Sequence, residues 1–118
     1  MKLAWLVAVP LALIGCGSPT APDGDPRMVG DVMQIGYDLL GSSAEGPLQI
    51  HVKSDPADEC GIVFSIDDRT WIGHSTDGFR VRAGEDILAE GVRVEVWFGL
   101  VLDSCPGQSH ADALNRLE

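Results

Sequence analysis

Cysteine and histidine carry most of the reactive potential of this chain, and its 118 residues hold three of each. Cys16, Cys60 and Cys105 stand far apart, and no pair has the Cys-x-x-Cys spacing of a redox or zinc site. His51, His74 and His110 are equally scattered and lack a His-x-x-x-His spacing, which on a helix would aim two imidazoles at one metal. His51 falls on the wet side of an alternating run, the position of a surface histidine. Carboxylates gather in two short stretches, Asp55, Asp58 and Glu59, and Asp67-Asp68. Their oxygens suit calcium, but neither stretch has the glycine-centred twelve-residue pattern of a calcium loop, so both read as solvated turns.

Covalent catalysis requires a nucleophile, a base and a group that orients the base. Ser65, Ser75 and Ser104 lie in no Gly-x-Ser-x-Gly elbow, and no glycine-rich phosphate loop follows a strand. The expectation is therefore no enzyme, no catalytic residue, no metal site and no cofactor. A small metal- or calcium-binding accessory domain is the alternative to a binding module. Eighteen acidic residues against eight basic ones give a net charge of −10. That balance repels phosphate backbones and anionic headgroups, which excludes nucleic acid as a partner and disfavours lying on a lipid surface.

The first residues have the form of an export signal. Met1-Lys2 give a positive start, Leu3 to Ile14 an apolar run, and Gly15 a small residue before Cys16. The run is shorter than the roughly 20 residues of a spanning helix. Leu13-Ile14-Gly15-Cys16 resembles the lipobox of bacterial lipoproteins; an ordinary signal that contains a cysteine is the alternative. The resemblance implies cleavage before Cys16, a diacylglyceryl thioether on its sulfur and a further chain on its amine. It places the domain outside the cytoplasm, held in the cell envelope by the anchor alone; several acyl chains hold stably where one holds marginally. Gly17 follows where inner-membrane retention would want Asp, which favours the outer membrane. The partner expected is an envelope protein, peptide or glycan.

With Cys16 assigned to lipid, Cys60 and Cys105 remain in an exported domain of modest size, and a disulfide between them is expected, two free thiols being the alternative. The organisation predicted is a signal over residues 1–15, lipidated Cys16 with a flexible linker to residue 26, and a domain over 27–118. Gly17 to Pro26, GSPTAPDGDP, has three prolines and no large apolar residue, the composition of a tether. Fully extended, ten such residues reach about 35 Å.

The elements that must position everything else are short and alternating. Gly91 to Ser104 is the longest such run, with Val92, Val94, Val96, Phe98, Leu100 and Leu102 on one side and Arg93, Glu95 and Trp97 on the other. Strand character also marks Met28 to Gly36, Leu48 to Lys53, Ile62 to Ile66 and Phe79 to Arg82, with a short segment over Arg69 to Ile72. Gly41-Ser42-Ser43 suggests a connection, and Ala83 to Gly91 a single helical turn. Ser109 to Glu118 fits either a short helix or a closing strand. Short strands separated by turn residues, without a long amphipathic helix, predict an all-β protein, a small antiparallel OB-like barrel of five or six strands. Its core would be Ile50, Val52, Ile62, Phe64, Ile66, Val94, Val96, Phe98 and Leu100.

IVFSIDDRTWI followed by DILAEGVRVEVWFGLVLDSCPGQSHADA resembles the YobA-like group of small secreted bacterial domains of unknown function, over Ile62 to Ala113. The resemblance implies a five-stranded OB-like barrel whose last segment is a closing strand, and it brings no catalytic residues. Trp97 lies opposite the valines, and with Trp71 it is the candidate ligand face, since barrels of this type use aromatic faces for stacking; cover by the terminal segment or the tether is the alternative.

Overall fold

The computed structural model describes residues 19–37, 39–40 and 46–117. The leader, Cys16 and the Gly41-Ser42-Ser43 connection lie outside the described residues. Among the described residues seven strands form one sheet: β1 (Met28–Gly36), β2 (Leu48–Lys53), β3 (Ile62–Ile66), β4 (Trp71–Thr76), β5 (Phe79–Arg82), β6 (Arg93–Phe98) and β7 (Gly107–Leu117). Their order is β3-β2-β1-β6-β7-β4-β5, and a further β3–β7 pairing closes five of them into a barrel. The closed circuit β1-β2-β3-β7-β6 is that of an OB-like barrel, with the β4–β5 hairpin added at its side. Neighbours are antiparallel except where β7 runs parallel to β3 and to β4. Among the described residues no helix is long and apolar enough to cross a membrane.

Closure depends on β1, which pairs with β2 along one edge and β6 along the other. A bulge between Val32 and Gln34 bends it, as bulges do at barrel corners. At Gly30 a Cβ would fall on the Lys53 carbonyl, so only glycine lets the two strands cross this closely. Inside, Ile50, Val52, Phe64, Ile66, Val94 and Val96 are buried as their alternation predicts, joined by Val32, Ile72, Ala111 and Leu114. Ile62 and Phe98 pack at the margin of this cluster. The expected helical turn is a single 3-10 turn, Glu85–Ile87, and Leu88 just after it enters the core.

Leu100 corrects the predicted core, for it is 95% exposed. The long alternating run stops at Phe98, where the register against β7 slips between Trp97 and Phe98. Residues 99–106 then leave the barrel as a loop, pinned by the Leu102 amide donating to the Gln108 carbonyl at 2.8 Å and by Ser109 Oγ donating to the Leu100 carbonyl at 2.6 Å. Alternation continues in the sequence of this loop, where an isolated bridge joins Leu102 to Gln108 of β7, but Leu100 and Leu102 are left facing water.

The C-terminal ambiguity resolves as strand. β7 has β6 along one edge, while its other edge pairs first with β3 (Ile62↔Gly107) and then with β4 (Trp71↔Ala113). Three ladders supply more backbone hydrogen bonding than an isolated short helix could hold in water. The β3–β7 register also explains the sulfur pairing. Two residues before Ile62 and Gly107 stand Cys60 and Cys105, joined with Cα atoms 4.8 Å apart, and the Gly107 amide donates to the Gly61 carbonyl at 3.0 Å.

Candidate functional site

The outward face of β6, β7, β4 and β5 is where the described residues gather unusual chemistry. Cross-strand register sets Trp71, Ala113 and Trp97 in one row, a small residue between two indoles. They form a buried cluster of their own, apart from the barrel core. On β4 the Trp71 ring lies back over Gly73, where any Cβ would fall inside the indole. The next row is Gly73, Asn115 and Glu95. Asn115 is fully buried and donates from Nδ2 to Ser75 Oγ at 2.9 Å and to Glu95 Oε1 at 3.0 Å.

Arg80 completes the arrangement from β5. Its guanidinium meets Glu95 through two contacts, 3.1 and 3.4 Å, and stands 4.9 Å from the centroid of the Trp97 ring. Such a cation over an indole face is held by the ring quadrupole. From the other side comes the linker. Pro19 to Pro26 has no regular secondary structure, in keeping with a tether, but it rests on this face: Trp97 Nε1 donates to the Gly24 carbonyl at 3.3 Å. Ala21 and Pro22 border two depressions of about 410 and 420 Å³. One also touches Trp97, Arg69 and Asp112; the other touches Arg80, Glu95 and Phe79.

No family model matches this sequence, nor does any curated protein or solved structure. The site is therefore read from its own geometry.

Trp97 lies on the outward face as the alternation predicts, with Trp71 in the same row, but neither is an open ligand face: Trp71 is 4% and Trp97 8% exposed, as the covered alternative expects. The linker and Arg80 lie over Trp97. Among the described residues the exposed large apolar side chains are Met33 and Tyr37, Phe79 and Val81 on β5, and Leu100 and Leu102 on the loop after β6. The three histidines do not converge. His51 Nε2 lies 2.7 Å from the Cys60 carbonyl, His74 is on β4, and His110 Nε2 is 3.0 Å from Asp67 Oδ1. Among the described residues no three histidine, cysteine or carboxylate side chains form a metal-sized group.

Asp67 organises the turn between β3 and β4. Its Oδ1 accepts from the Arg69 amide at 2.9 Å, and its own amide donates to Thr70 Oγ1 at 3.2 Å. Thr70 Oγ1 in turn donates to the Ala111 carbonyl at 2.7 Å, which ties this turn to β7. The hydrogen bond from His110 holds the Asp67 carboxyl below its ordinary value, opposed by burial and helped by the Arg69 amide. Sequence reasoning singled out Asp67 and His110 separately; only the fold brings them together. The Asn115 network gives no signal in the sequence, because its bonded partners are 15 to 40 residues apart along the chain.

Proposed function

We propose that this protein is a lipid-anchored interaction module of the bacterial cell envelope, carried outside the cytoplasm by its leader and held by Cys16. The observation that carries the reading is the Cys60–Cys105 disulfide, closing 45 residues of a small domain. Such bonds persist in oxidising compartments, the destination that a leader ending in Leu-Ile-Gly-Cys would give. The likeness to the YobA-like secreted domains accords with it, since that group is expected to build the same closed five-stranded barrel. A binding role is supported by the filled interior: apolar side chains occupy the barrel, so recognition falls to the outer surface. The rim loop with exposed Leu100 and Leu102 is the open surface, and the outward face around Trp97 becomes one where the linker leaves it.

Intact-mass analysis of the protein from a bacterial envelope tests the anchor. The expected species starts at Cys16 and carries acyl chains; an uncleaved or unmodified chain would overturn it. Pulldown from envelope extract, compared with Trp97→Ala, tests the interaction role. A partner set that Trp97→Ala leaves unchanged would remove the tryptophan face from it.

A further inference from the structure

We propose that the outward face at Trp97 and Ala113 is a binding groove for an extended, proline-bearing peptide segment, occupied in the resting chain by the protein's own linker. This deepens the interaction reading by naming a ligand class, and its test does not depend on the lipid anchor.

The two indoles are nearly excluded from water although they stand on the outside of the barrel, opposite Val94 and Val96. Over Trp97 the cover is irregular chain. The segment begins Pro19-Thr20-Ala21-Pro22, and both prolines border the depression that touches Trp97. In an extended left-handed helix with three residues per turn, prolines three apart share one side. Proline chains arrive with φ already fixed and lose little freedom on docking, and aromatic grooves are their common receptors. The indole N–H is a donor only, and it meets the Gly24 carbonyl at 3.3 Å, an acceptor of the kind that proline-rich chain offers freely.

The protein is acidic overall, yet Arg69 and Arg80 border the two depressions beside Ala21-Pro22, each paired with a carboxylate of the domain, Asp67 and Glu95. The fit of the linker leaves a depression on either side of it. A loosely seated strap of this kind competes with an outside segment, and a short linker competes at an effective concentration of roughly 1 mM. The linker thereby sets a threshold that an external peptide must exceed.

The test uses the full chain in detergent, labelled with 15N, and reads the Trp97 indole N–H. The probe is a synthetic peptide spanning residues 17–26. A variant carrying P19G, T20S, A21G and P22S loosens the strap without touching the barrel. In it the Trp97 indole N–H exchanges faster by roughly tenfold, the factor one net hydrogen bond supports. The peptide then restores protection saturably in the loosened variant and binds the wild type at least several-fold more weakly. Trp97→Phe, added to the loosened variant, keeps an aromatic ring and loses the donor to the Gly24 carbonyl; the peptide then binds roughly tenfold more weakly while the buried amides of β6 stay protected. Three results would each overturn the proposal: an indole as protected in the loosened variant as in the wild type, no saturable binding of the peptide to that variant, or equal binding of a peptide with both prolines replaced by serine.

Discussion

Replacing Cys60 and Cys105 together by alanine removes a link across 45 residues while disturbing little packing, because Cys105 is exposed and Cys60 only half-buried. The effect falls mainly on the unfolded chain, which gains the freedom that the link withheld. The chain-entropy relation puts that freedom at about 4 kcal/mol for a loop of this length. A domain of this size loses about 4–8 °C of melting temperature per kcal/mol, so the fall expected is roughly 15–30 °C. Circular-dichroism melting and urea denaturation of the oxidised wild type and the double variant measure it. A second signature accompanies the first: the unlinked unfolded state exposes more surface, so the urea m-value of the variant rises. A fall below roughly 5 °C with an unchanged m-value would refute the reasoning. It would mean that the β3–β7 ladder holds the barrel shut without covalent help.

Gly73→Ala forces a methyl into the Trp71 indole and should destabilise by about 1–3 kcal/mol, read in urea, with a shift in tryptophan emission as the ring moves. Thr70→Val removes the hydroxyl that serves both the Ala111 carbonyl and the Asp67 amide; stranding these partners should cost about 1–3 kcal/mol for each one that water does not reach. Asp67→Asn tests the linkage to pH. The folded-state carboxyl of Asp67 is held below its ordinary 3.8, so its stabilisation is complete above that value and lost as pH falls through the lower folded one. The wild type should exceed the variant in melting temperature at neutral pH, and the gap should close below about pH 3.8; a gap constant from pH 7 to pH 2 would exclude the carboxylate as its source.

What the sequence discloses is the inward half of the molecule. Ile50, Val52, Phe64, Ile66, Val94 and Val96 announce themselves because burial on one face of a strand imposes a two-residue period, and β-branched residues suit that surface. The period cannot say where a partner strand ends, which is why Leu100 reads as core and stands in water. β4 was only half visible: Trp71-Ile72-Gly73 is buried on both sides and therefore does not alternate. The tryptophan row was invisible as a row, since it exists only through the registers of β4, β7 and β6. Trp97 could be placed on the outward side, but its cover comes from a linker that composition alone describes as unstructured.

The parallel contacts of β7 also govern the timing of assembly. Residues 107–117 supply the strand that β3, β4 and β6 all require, so a chain synthesised or exported from its N-terminus carries three unsatisfied edges until that stretch emerges. A product truncated before Gly107 has no route to a closed barrel, and it also leaves bare the outer row that Ala113 completes. Quality control that recognises open sheet edges would then discard incomplete copies, and any binding surface on this face would arise only on finished ones.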